Sequence, residues 1–253
     1  MPESRNEQPR AGEDRPHIVE SYDRELAELR DLFLKLGDLA HRQVMRAVEV
    51  VTRQDRVAAA RLVKDDGLVD DLAGSIQKLA FQLLALRQPA SVDLRLVLIP
   101  YKATSNLERI ADYATNIAKR SIKLEEGGPR EIIDSVARLG QMTGGLVHDV
   151  LTAFRNRDGR MAFAVRDRDE EADALYISIF RELLTYMTAD QGSIARCTHI
   201  LFVIKNFERI GEHATAIAEY VNFLVTGELP AGGRHMPEEW VDPEQLANPP
   251  QGR

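Results

Sequence analysis

The chain has 253 residues, 44% hydrophobic and 29% charged, the make-up of a globular protein with room for one large core or two fused halves. Its formal net charge of −7 leaves no basic footprint for nucleic acid and favours cation binding only where acids cluster. Cys197 is the single cysteine, so an internal disulfide and a cysteine zinc site are both excluded; in its apolar setting it reads as a small core residue.

In chain order, residues 1–16 carry prolines, a glycine and many charges, and read as a disordered arm. Helical periodicity then dominates, with proline limited to Pro89, Pro100 and Pro129 until the tail. Six helices are expected, over roughly 20–53, 55–87, 91–125, 130–156, 158–189 and 192–225. The breaks are Gln54-Asp55, Gln88-Pro-Ala-Ser91, Gly127-Gly-Pro129, Arg157-Asp-Gly159 and Asp190-Gln-Gly192. Pro100 should bend the third helix or shift its start, because it removes one ladder hydrogen bond. From residue 227 to 253 the chain is rich in proline and glycine and reads as a disordered tail, with Trp240 as a docking anchor or a partly packed aromatic. No apolar run approaches the ~20 residues that span a bilayer, and the start lacks a signal-peptide core. A soluble, cytoplasmic protein is expected, reaching a membrane only through partners.

Two stretches repeat each other. Asn106-Leu-Glu-Arg-Ile-Ala-Asp-Tyr-Ala-Thr-Asn-Ile-Ala-Lys-Arg120 returns as Asn206-Phe-Glu-Arg-Ile-Gly-Glu-His-Ala-Thr-Ala-Ile-Ala-Glu-Tyr220, with eight of fifteen positions identical. A long-period repeat means one structural unit used twice. Short links make sequential helices antiparallel, so the expected fold is all-α, two three-helix bundles related by a pseudo-twofold, over residues 17–126 and 127–226.

Each copy carries two carboxylates four residues apart, Glu108 with Asp112 and Glu208 with Glu212. The second helix of each half adds Asp66 with Asp70 and Asp169 with Asp173. This spacing stacks acids on one helix face. One such pair is ordinarily a solvated face; recurrence at equivalent places in both halves points to cation binding instead. On a helical wheel Glu108 and Asp112 lie opposite Leu107, Ile110, Ala114 and Ile117, beside Thr104, Ser105 and Thr115. Hard oxygen ligands suit magnesium, calcium or manganese, and also iron or zinc. Arg109 and Arg209 offer the competing reading, neutralising the acids as surface salt bridges.

Pro89-Ala-Ser-Val-Asp-Leu-Arg95, Asn106-Leu-Glu-Arg-Ile-Ala-Asp112 and its echo Asn206-Phe-Glu-Arg-Ile-Gly-Glu-His213 together resemble the PhoU family, over about residues 17–225. The resemblance implies two pseudo-symmetric three-helix bundles, forming a homodimer or higher oligomer. It also implies a non-enzymatic regulator of phosphate uptake that links the ATPase of a Pst-type transporter to a PhoR-type histidine kinase and represses the phosphate-starvation response. The family's signature, an acid, three residues, then Asp, implies multinuclear iron or zinc at Asp66, Asp70, Glu108, Asp112, Asp169, Asp173, Glu208 and Glu212. Glu212 departs from the pattern by one methylene.

A carboxylate-bridged metalloenzyme or metal-storing bundle is the alternative. Ferritin-like sites use inward Glu-x-x-His motifs, and none of the six histidines has a Glu three residues before it. His41, His148 and His199 read as packing or surface residues, and His213 faces Tyr113 in the repeat alignment. A third reading is a structural bundle whose acids only aid solubility.

Overall fold

Leu29, Phe33, Leu36, Ala40, Val44, Ala47 and Val51 recur at helical spacing and are buried along one helix face. That helix, α1, runs Asp14–Arg53, and six more helical segments follow among the described residues of the computed structural model: α2 Arg56–Lys64, α3 Gly67–Arg87, α4 Ser91–Ser121, α5 Arg130–Asn156, α6 Gly159–Ala189 and α7 Ile194–Thr226. A 3-10 turn, Gln191–Ser193, leads into α7. The structure describes residues 14–64, 67–124 and 130–228, with side chains from Glu20 onward. Asp66, Trp240 and most of the two segments read as disordered lie outside these residues.

The helices fall where the periodicity places them. The first begins at Asp14, earlier than expected. The second expected helix is described as α2 and α3, with residues 65–66 between them outside the described residues. Pro100 sits inside α4 without displacing its start from Ser91.

Two turns repeat one device. Gln54 and Arg157 both adopt φ 53°, a left-handed backbone that reverses the chain, and each is followed by an aspartate. Asp55 Oδ1 accepts from the backbone N–H of Val57 and Ala58, both at 2.9 Å. Asp158 Oδ1 accepts from Arg160 and Met161 at 3.0 and 3.1 Å. Each cap satisfies amides that a helix start leaves without partners.

Helix α1, the α2–α3 pair and α4 make one bundle; α5, α6 and α7 make the other. The halves join where α4 packs on α7 and α1 on α5. The apolar side chains of both halves form one continuous cluster, including Phe33 of α1, Ile110 of α4, Val147 of α5 and Phe207 of α7. A smaller cluster of Val50, Ala59, Leu62 and Ala118 lies under α2.

The pseudo-twofold is visible in residues that face their own repeats. Tyr113 and His213 stack at 5.6 Å with planes 29° apart. Across the α1–α5 contact His41 meets His148, ring centroids 5.5 Å apart. That seam carries a second echo, Gly37-Asp-Leu-Ala-His41 and Gly144-Gly-Leu-Val-His148. The two glycines allow the close approach: a Cβ on Gly37 would lie 2.2 Å from Leu151, and one on Gly144 2.7 Å from Met45 Sδ.

Arg95, from the motif that opens α4, reaches the other half. Its Nη1 donates to the Phe223 carbonyl at 3.1 Å, so a side chain of the first bundle closes the C-terminus of α7. Cys197 is buried, as its apolar surroundings require.

Candidate functional site

The carboxylates singled out in the sequence occupy adjacent helix pairs, Asp70 of α3 beside Glu108 and Asp112 of α4, and Asp169 and Asp173 of α6 beside Glu208 and Glu212 of α7. Leu107, Ile110, Ala114 and Ile117 are fully buried, so the acids of α4 face outward from the core as the wheel requires. Thr104 and Thr115 do not share that outward face. Both are buried, and Thr104 Oγ1 donates back to the Pro100 carbonyl at 2.7 Å, a hydroxyl satisfied within its own helix.

The two acidic faces differ. In the first half Glu108 is partly buried, and no described donor hydrogen-bonds its carboxylate. Burial, then the neighbouring Asp70 and Asp112 charges, raise its pKa. Arg109 stands 4.0 Å from Asp112, with both side chains more than half exposed, a contact of little energetic weight. Acids from two helices thus repel one another.

In the second half the protein supplies the cations. Glu208 is 8% exposed, and Lys205 Nζ lies 3.1 Å from its Oε1 and 3.0 Å from its Oε2. Arg209 Nη1 donates to Glu212 Oε2 at 2.7 Å. Asp169 is 4% exposed, with Oδ2 accepting from Thr215 Oγ1 at 3.0 Å. Its Oδ1 occupies the space beside Gly211, where a Cβ would come within 2.4 Å. Tyr176 closes this side: Lys205 Nζ lies 5.6 Å from its ring centroid. Burial, and then the Glu208 charge, push its hydroxyl up to about 12.

Lys205 and Tyr176 were not singled out in the sequence. The repeat contained the signal, because Ser105 and Ala73 stand at the equivalent positions of the first half. The Arg109/Arg209 reading therefore holds most closely in the second half, where Lys205 and Arg209 lie within hydrogen-bond distance of Glu208 and Glu212.

His213 belongs to the seam between halves. Its Nδ1 lies 2.8 Å from Asn106 Oδ1 and donates there, while burial lowers its pKa. Among the described residues no three acid, imidazole or thiol side chains already converge as a metal-ligand set. The first face nonetheless fits a hard cation chemically: oxygen donors on two helices, crowded charge, and a partly buried carboxylate with no described hydrogen-bond donor. The second face fits one only if Lys205 and Arg209 swing aside.

The PhoU domain matches residues 33–121 and, again, residues 136–221, one match on each bundle. The chain belongs to the PhoU family. It is 45% identical over 213 residues to a PhoU homolog of Caulobacter vibrioides (strain NA1000 / CB15N), called a phosphate-specific transport system accessory protein; the alignment covers 84% of this chain and 93% of that one. A relative of the same description from Xylella fastidiosa (strain 9a5c) is 45% identical over 212 residues, 84% of this chain and 89% of that one. Among solved structures, PhoU from Pseudomonas aeruginosa superposes with a TM-score of 0.79 at 35% identity, covering 82% of this chain and 100% of that one. The phosphate transport system regulatory protein PhoU from Streptococcus pneumoniae gives 0.77 at 30% identity, covering 83% and 99%. The double match is what an internal repeat of one PhoU domain requires.

Proposed function

We propose that this chain regulates a phosphate-specific transport system, linking the transporter ATPase to a PhoR-type histidine kinase and repressing the phosphate-starvation response when phosphate is plentiful. The observation that carries this reading is the double PhoU match on a bundle whose two repeats present acidic faces. It is supported by relatives bearing the name of transport-system accessory protein. No helix among the described residues is long and apolar enough to cross a membrane, so contact with the transporter goes through its exposed protein surfaces. The chain acts as a regulator, without a reaction of its own, and as a homodimer or larger homo-oligomer.

In this reading the acidic faces hold metal ions, iron or zinc in multinuclear form, with manganese or magnesium as lesser occupants. Asp66, Asp70, Glu108 and Asp112 would hold them on the first face; Asp169, Asp173, Glu208 and Glu212 on the second. Bound cations would cancel the repulsion among Asp70, Glu108 and Asp112 and so stiffen the α3–α4 pair.

Deleting the gene should switch a phosphate-starvation reporter on in high-phosphate medium, and the wild-type gene should restore repression. Unchanged reporter output in the deletion strain would sink the regulatory reading. The metal arm is tested separately by elemental analysis of protein purified without chelator, beside Glu108→Gln/Asp112→Asn. Several equivalents of iron, zinc or manganese in the wild type, reduced in the variant, is the expected result.

A further inference from the structure

Beyond its acids, α4 turns basic. Asn116, Lys119 and Arg120 lie in its last turns, and Lys123 follows just beyond its end. Together with Phe202 and Asn206 of α7 they line a depression of about 320 Å³. The Arg120 guanidinium carbon lies 4.1 Å from the centroid of the Phe202 ring. Stacking of this kind uses the face of the guanidinium and leaves its in-plane N–H groups for a ligand. Asn206 is anchored as well, its Nδ2 donating to the Phe202 carbonyl. Among the described residues no carboxylate stands within ion-pair distance of Lys119, Arg120 or Lys123.

Cations near a helix C-terminus complement its dipole, and that accounts for Lys119 and Arg120 in the last turn of α4. It does not account for the wall supplied by α7. Nor does duplication, because the equivalent end of the α4–α7 contact carries Lys102, Asn106, Ala216, Glu219, Tyr220 and Phe223. The basic character belongs to one end only, on a chain of net charge −7.

We propose that this depression binds a compact phosphoanion carrying two or more negative charges. Three cations and two carboxamides match a multiply charged tetrahedral group with several acceptor oxygens, whereas one planar carboxylate would be satisfied by Arg120 alone. A volume of about 320 Å³ lies at the small end of ligand pockets, the size for phosphate or pyrophosphate, with any nucleoside projecting from the rim. The site uses none of the acidic-face residues and stands whether or not those hold cations.

The test is calorimetric titration of the full chain, chelator-treated and at 0.15 M salt, with inorganic phosphate, pyrophosphate and ADP, and with sulfate as control. Pyrophosphate or phosphate should bind more tightly than sulfate. Lys119→Ala/Lys123→Ala, both exposed and therefore safe for folding, should weaken binding at least tenfold, and Arg120→Gln likewise. Lys102→Ala at the other end of the seam should change it less than twofold. ADP binding no tighter than pyrophosphate identifies the phosphates as the recognised group; tighter binding identifies a nucleotide as the source. Undiminished affinity in the Lys119/Lys123 variant, an equal loss in Lys102→Ala, or no binding of any phosphoanion would each overturn the proposal.

Discussion

Asp169 and Glu208 are carboxylates withdrawn from water, and each is tolerated because a specific neighbour answers it: Thr215 for one, Lys205 for the other. Removing the answer should therefore cost stability. Lys205→Ala should destabilise the chain by about 1–3 kcal/mol, read as a lower Tm, and added Mn²⁺ should recover more in this variant than in the wild type. Gly211→Ala pushes a methyl into the Asp169 carboxylate and should cost about 1–3 kcal/mol. Glu25 is the opposite case. Arg87 donates to it at 2.6 and 3.1 Å, and those hydrogen bonds hold its pKa below the ordinary 4.5. A depressed carboxylate stabilises the fold above that ordinary value and loses its contribution as pH falls through the depressed one. Glu25→Gln should thus lower Tm at pH 7, the gap to wild type closing as pH falls below the ordinary 4.5 and through the depressed value. A helical wheel finds the outward direction of Glu108 because that depends on α4 alone; it misplaces Thr104 and Thr115 because their burial depends on which helices lie alongside. Lys205 and Tyr176 escaped notice for the same reason, since an ion pair is legible only once both partners are placed.

Helix boundaries were largely readable, because the residues that end helices act locally. Gln54-Asp55 and Arg157-Asp158 mark breaks by chemistry the chain carries at that point: a left-handed residue, then an aspartate that caps. Gln54→Gly should relieve the left-handed backbone and raise stability by about 0.5–1 kcal/mol in thermal melts. Close contact between α1 and α5 was hidden in single-helix patterns, though the Gly37 and Gly144 echo carried it. Gly37→Ala should gain helix propensity of about 1 kcal/mol and lose more to the displaced Leu151, lowering Tm by a few degrees for a chain of this size.

Because α4 packs on α7 and α1 on α5, the two bundles share one apolar interior, and neither can keep its own face dry alone. Residues 14–124 and 130–228 expressed separately should aggregate or melt without cooperativity, while co-expression should yield a complex that elutes with the intact chain on gel filtration. Independent, well-folded halves would contradict the shared core. The pseudo-twofold arrangement was legible from the internal repeat. What the repeat could not convey was how far the halves have diverged chemically, since divergence lies in the non-identical positions, Ser105 against Lys205 or Lys119 against Glu219, whose meaning depends on their neighbours across the seam.

Tyr113 faces His213 across the seam, and the two are copies of one position. In a symmetric pair of separate chains such a position meets itself, so any substitution strikes both sides at once and only self-compatible residues survive. Covalent fusion lifts that restriction. One copy can become a hydrogen-bonding imidazole that engages Asn106 while the other stays a phenol, and each can then drift under its own constraints. The seam at Tyr113 and His213 is thus where a single-chain architecture has already gained an asymmetry that two identical subunits could not encode.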